Sequence, residues 1–291
     1  MPAGALALLL AAAFGHATWN YLAKGARNDA AFQFTYVIVS LVAYAPIAVV
    51  AYAIQRPEIG WEAVAFMAVS GFLHIGYYFL LTSGYRAGDL SLVYPLARGT
   101  GPALSVIGAI LIYSERPSWL ALLGAAMIVA GILIMTWSPG ANVSGRHGAP
   151  VGLSIAFALA TGASIAVYTL WDKKGSDLTT PIMYGVGIDV ARALIFAPYV
   201  LGRRAGRDGV AYAWREERRA VLGISLLSPG AYMMVLAALT LAPVSYVAPV
   251  REVSIVIGAA MGARLLGEPD APRRLLGAGA IVGGVFALAL G

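Results

Sequence analysis

Seven ionisable side chains lie inside runs that are otherwise apolar: His16, His74, Arg98, Asp189, Arg192, Arg251 and Glu252. A charged group at the centre of a hydrophobic helix costs about 2.5–3.5 kcal/mol on insertion scales, so those that persist face a bundle interior or a wet cavity. Asp189 and Arg192 stand three residues apart, where neighbours on a helix meet, and read best as a mutually neutralising structural pair. Arg98 and Arg251 each follow a proline, Pro95 and Pro249, and Gly99, Gly101 and Pro102 loosen the first of these segments further. Broken helices near the midplane are where transporters built from repeats hold their ligands. Two readings of these arginines stand side by side: attraction of an anionic group such as a carboxylate, or ties to helix carbonyls or a nearby acid. Glu252 adjoins Arg251 but on a continuous helix points about 100° away from it. An interhelical contact is therefore expected of Glu252 before an ammonium-binding or coupling role.

Polar and aromatic residues recur at helical spacing around these charges. His16, Trp19 and Asn20 share one face by i, i+3, i+4 spacing, as do His74, Tyr77 and Tyr78. Thr161, Ser164, Tyr168 and Trp171 fall on one face of a later segment, and Ser225, Ser228 and Tyr232 on one face of another. Such stripes would line a cavity of apolar walls with a few directed hydrogen-bonding groups, the usual character of a small-molecule site. Their rings could also stack on a flat or cationic ligand group. The candidate substrate-binding set is His16, Trp19, Asn20, His74, Tyr77, Tyr78, Arg98, Ser164, Tyr168, Trp171, Tyr232, Arg251 and Glu252. Taken singly, each Tyr or Trp is better explained as an interface belt or packed core residue. The set draws its weight from recurring on four segments. His16 and His74 are candidates for proton exchange because imidazole titrates near neutral pH, with neutral packing as the alternative.

The elements that must position these residues follow from composition. Of 291 residues, 60% are hydrophobic and 12% charged, with mean hydropathy +0.78; a soluble domain carries about 25% charged residues. Apolar runs bounded by charges, Pro and Gly predict spans near 3–23, 31–54, 62–84, 90–113, 118–137, 151–171, 181–201, 220–242, 244–266 and 273–290. These short loops leave no room for an extramembrane domain. Met1–Leu10 lacks a basic leader and reads as the start of the first span rather than a signal peptide. The net charge of +6 comes from basic residues in loops, which points to membrane topology and not to nucleic acid. No cysteine, phosphate loop, HExxH helix or G-x-S-x-G turn is present, so neither an enzyme nor a metal or other cofactor is expected.

A polar, Gly- and Pro-rich stretch, 138–150, divides the chain into halves 1–137 and 151–291. At an offset of 153, Arg98 matches Arg251, Glu115 matches Glu268, Leu123-Gly124-Ala125 matches Leu276-Gly277-Ala278, and Gly131 matches Gly284. At 154, Tyr78 matches Tyr232, Ser91 matches Ser245 and Pro95 matches Pro249. Five spans per half force the second half to enter the membrane in the opposite direction. The expected fold is an all-α polytopic membrane protein of ten transmembrane helices in two inverted five-helix repeats. Gly124, Gly131, Gly258, Gly262, Gly277, Gly283 and Gly284 mark close-packing surfaces within the chain or between chains, and a monomer is compatible with them. Thirteen Lys and Arg fall in the loops after odd-numbered spans and four in those after even-numbered ones, six of the thirteen between Gly202 and Ala220. The positive-inside rule then puts both termini outside the cytoplasm.

The pattern of Tyr94-Pro95 followed by Ser114-Glu115-Arg116, and Ala248-Pro249 followed by Gly267-Glu268-Pro269, resembles the EamA-type transporters of the drug/metabolite transporter superfamily. The resemblance covers nearly the whole chain. It implies export of small metabolites from the bacterial cytoplasm across the inner membrane, with no catalytic motif, and structural roles for Pro95, Pro249, Glu115 and Glu268. The polar, aromatic stripes with Arg98 and Arg251 look like those of amino-acid exporters, including the aromatic and methyl viologen type; an organic-cation exporter and a passive channel are the alternatives. Partners implied are a small-molecule substrate and membrane lipid.

Overall fold

The computed structural model describes residues 1–23, 26–27, 29–88, 90–136, 150–266 and 271–291, and the side chains of these except 90–91, 262–266, 271–272 and 274. Glu268 and residues 138–149 of the linker lie outside the described residues. Among the described residues every regular element is a helix. The first half holds α1 (Ala3–Ala23), α2 (Ala30–Gln55), α3 (Trp61–Ala87), α4 (Leu90–Ile112) and α5 (Trp119–Thr136). The second holds α6 (Val151–Asp177), α7 (Pro181–Leu201), α8 (Arg204–Glu216), α9 (Arg218–Leu241), α10 (Val244–Val250), α11 (Val253–Leu266) and α12 (Ala271–Leu290). Among the described residues eight segments are long and apolar enough to cross a membrane, with α10 and α11 counting as one over Val244–Met261, and Trp119–Met135 and Leu275–Leu290 are shorter apolar helices. The chain is a multi-pass membrane protein.

Local chemistry sets the helix ends. Asp29 caps α2 by accepting from the Phe32 N–H at 2.9 Å, and Arg56, at φ 45°, turns left-handed to end it. Thr180 caps α7, which opens on Pro181, where a missing N–H costs nothing. Glu115 accepts from the Val244 and Ser245 N–H groups at 2.8 and 2.9 Å, so an acid from the first half caps α10 in the second.

Two elements depart from the expectation. The run 244–266 is not one helix: Pro249 has no N–H to give, the Glu252 N–H turns to the Pro249 carbonyl at 3.0 Å, and the chain breaks at Arg251 and Glu252. By contrast α4 runs continuously through Pro95 and Pro102, so its expected loosening is absent. The segment expected as a loop between Gly202 and Ala220 contains α8, whose arginine-rich outer face and apolar inner face pack it sideways on α2. Ala213 is buried against Phe32 and Tyr36, and a methyl on Gly209 would stand 2.7 Å from Ala31 Cβ.

Helix contacts come in pairs that interchange when the halves are exchanged. Contacts of α1 with α9 match those of α6 with α3, those of α2 with α9 match α7 with α3, and those of α4 with α6 match α1 with α11. Among the described residues α4 against α10, α2 against α7 and, most extensively, α5 against α12 pair with their own counterparts. In the latter, a Cβ on Gly124 would meet the Gly284 carbonyl at 2.6 Å and one on Gly131 the Gly277 carbonyl at 2.7 Å. Both contacts are backbone against backbone, which only glycine permits. Their crossed order, 124 with 284 and 131 with 277, makes α5 and α12 antiparallel and puts a local two-fold between them. These glycines pack within the chain. Both termini lie at one end, the Met1 amino group donating to the Ala289 carbonyl at 3.1 Å.

Candidate functional site

The paired halves enclose a cavity of about 210 Å³. His16 and Trp19 of α1, His74, Tyr77 and Tyr78 of α3, Arg98 of α4, Tyr168 of α6, Tyr232 of α9 and Arg251 at the α10 break all line it. It extends past Tyr85 and Thr82 to Ala23, Phe32 and Gln33, at the ends of α3, α1 and α2. The opposite end is closed by a layer in which Trp171 stacks on Phe66, at 4.2 Å between ring centres, and donates its indole N–H to the Phe66 carbonyl at 2.9 Å.

One charge cluster stands on the cavity wall. Glu252, fully buried, meets Arg98 across 2.6 Å, and its other oxygen lies 3.6 Å from Arg251 Nε. The break after α10 is what lets adjacent residues converge; the 100° separation expected of Arg251 and Glu252 holds only for an unbroken helix. Glu252 therefore also makes the contact to another helix that its position in an apolar run suggested. Two arginines share one carboxylate, and the Arg251 guanidinium carbon sits 5.8 Å from the Tyr168 ring centre.

A second charge pair reaches the cavity from α7. Arg192 holds Asp189 at 2.9 Å, donates to the Tyr36 hydroxyl at 2.5 Å and approaches Gln33 at 3.4 Å, while Ser40 donates to Asp189 at 2.8 Å. The pair expected within one helix is present, and it is also tied into α2.

Four candidates fall outside the cavity lining, Glu252 behind its two arginines among them. Asn20 is exposed and donates to the His16 carbonyl at 2.7 Å. Ser164 is half-buried between helices, and Trp171 belongs to the closed layer. Shared-face spacing says which residues point together but not toward what. His16 itself accepts from the Trp19 indole at 3.2 Å.

The sequence reading missed Asp172. It is fully buried on α6, accepts from the Tyr184 hydroxyl at 2.9 Å and from the Tyr232 hydroxyl, and lies 4.0 Å from His74 Nε2. Lys173 and Lys174 beside it suggested a loop, whereas α6 runs on to Asp177. Tyr168, Trp171 and Asp172, at i, i+3 and i+4, carried the signal.

The profile of the EamA-like transporter family matches residues 3–137 and again 152–290. The chain belongs to that family, whose members are transporters and not enzymes. The protein named "Uncharacterized protein PA1977" from Pseudomonas aeruginosa (strain PAO1) is 31% identical over 222 residues, spanning 69% of this chain and 71% of that one. A solved crystal structure superposes with a TM-score of 0.76 over 100% of this chain and 98% of the other, at 17% identity, a likeness in fold alone.

Proposed function

We propose that the protein exports small zwitterionic metabolites, amino acids including aromatic ones foremost, from the bacterial cytoplasm across the inner membrane. In this reading ten crossings, five per half and inverted, rock about the cavity to give alternating access. The observation that carries the cargo class is the cluster of two arginines sharing Glu252 on an aromatic wall, which leaves one positive charge for a substrate carboxylate. Arg251, at a helix break and more distant from Glu252, is the better placed of the two; Arg98 is engaged at 2.6 Å. Tyr77, Tyr78, Tyr168, Tyr232 and Trp19 shape the side-chain pocket, and His16 and His74 offer ring nitrogens. Asn20, Ser164, Trp171 and Glu252 act behind the lining and not on the cargo.

The volume favours a metabolite over a bulky drug, since 210 Å³ lies below the roughly 300–1,000 Å³ of pockets for drug-sized ligands. An organic cation without a carboxylate has nothing to offer the spare positive charge, and Glu252 and Asp189 are both occupied by arginines. The cavity extends toward the loops that hold thirteen of the basic residues, so positive-inside orientation makes this an inward-open state with both termini outside. Binding of phenylalanine and of its decarboxylated analogue phenethylamine to purified protein, wild type and Arg251→Gln, tests the reading. Loss of affinity for phenylalanine alone supports it; equal loss for both, or none, overturns it.

A further inference from the structure

One buried acid stands behind the lining of that cargo site. Asp172 accepts from Tyr184 of α7 and Tyr232 of α9, and His74 of α3 faces it. His74 Nδ1 lies 2.9 Å from the Ser70 carbonyl oxygen, which can only accept, so Nδ1 carries the ring proton of the neutral imidazole. That leaves Nε2 as a bare acceptor 4.0 Å from a carboxylate oxygen. Two acceptors facing one another in a buried space lack the proton that would join them.

We propose that His74 and Asp172 form a single proton-carrying site, taking up and releasing one proton in exchange for cargo. With the proton on the acid, the pair is neutral, a carboxylic acid directed at the imidazole Nε2. Without it, the pair carries one negative charge. Resting on the export reading above, this charge and the spare positive charge near Arg251 match the two ends of a zwitterion. A proton on the pair cancels the charge that draws the ammonium group, so proton and cargo exclude each other, as exchange requires.

The surroundings suit such a site. On α3 the Ser70 hydroxyl is 3.3 Å from His74 Nδ1. Just past α4 the Tyr113 hydroxyl is spent on the Leu170 carbonyl at 2.6 Å, and on α6 Tyr168 packs 4.4 Å from the imidazole, centre to centre. Arg251 acts on both members electrostatically and Arg192 on His74. His74 and Tyr232 line the cavity and Asp172 does not, so a proton reaches the acid through them. The two tyrosine contacts tie α6 to α7 and α9, and the Tyr184 hydroxyl also lies 3.3 Å from the Phe66 carbonyl of the layer formed with Trp171.

Infrared difference spectra of the purified protein in lipid bilayers, titrated in pH without any cargo, test the site directly. The expected result is a carboxylic-acid carbonyl band that grows as pH falls, is lost in Asp172→Asn, and moves along the pH axis in His74→Gln and in the milder Tyr232→Phe. Asp177→Asn, at the exposed Lys173 pair, leaves the band in place. A band indifferent to Asp172→Asn, or one that stays put in both His74→Gln and Tyr232→Phe, overturns the proposal. In proteoliposomes loaded with labelled phenylalanine, an opposing pH step speeds wild-type efflux several-fold, and in Asp172→Asn the ratio with and without the step falls to one. A ratio that survives the substitution also overturns it. If phenylalanine never moves in any sample, the cargo reading fails while the infrared result still decides the proton site.

Discussion

Replacing Glu252 by Gln keeps its shape and removes the one carboxylate that two buried guanidinium groups share. Arg98 meets it at 2.6 Å with 9% of its side chain exposed, and Arg251 at 3.6 Å with 8% exposed, so neither has water enough to replace the lost charge. Removing one partner of a buried ion pair costs about 3–5 kcal/mol. Against a total stability of about 5–15 kcal/mol this is a large fraction. Arg98→Gln is milder, because Glu252 keeps Arg251 as its counterion. The double variant Arg98→Gln/Glu252→Gln again leaves a single arginine uncompensated, as in the wild type, and is more stable than the sum of the single effects predicts by about 0.5–3 kcal/mol. Unfolding of the purified protein, followed by tryptophan fluorescence, measures all four members of the cycle. A double variant whose loss equals the sum of the singles would refute the shared-carboxylate geometry.

Other consequences follow from the packing between halves. Glu115→Ala leaves the Val244 and Ser245 N–H groups without their acceptor and lowers stability by about 1.5–3 kcal/mol in the same unfolding assay, with Glu115→Gln in between. Gly131→Ala sets a methyl 2.7 Å from the Gly277 carbonyl and costs about 1–3 kcal/mol, and Gly284→Ala matches it through the local two-fold. Gly279→Ala, with nothing within 4 Å, instead gains about 0.5–1 kcal/mol.

Much of the architecture was legible because bilayer thickness sets span length and the two halves repeat rare residues in one order. Starts such as Ala3, Pro181 and Val244 stand where hydropathy put them. The repeat also foretold Gly124, Gly131, Gly277 and Gly284 as packing sites, though only coordinates reveal their crossed pairing. Hydropathy failed where a helix is not apolar. The arginines of α8 hid an inner face of Gly209 and Ala213, spaced by four, and two lysines hid the end of α6 that carries Asp172. Proline alone could not say which span breaks: α4 with two stays whole, while the segment with Pro249 and adjacent charges divides. Of the candidate site, Asn20, Ser164 and Trp171, which stand outside the cavity, looked the same in sequence as the residues that line it.

The central claim, a gated carrier for amino acids, is tested most directly by counterflow. Proteoliposomes holding purified protein are preloaded with unlabelled amino acids, singly across a panel, and challenged with labelled phenylalanine. The account predicts saturable uptake driven by the internal amino acid, reduced in Arg251→Gln. Flux that rises linearly without saturation and ignores what is inside would contradict it and point to a channel.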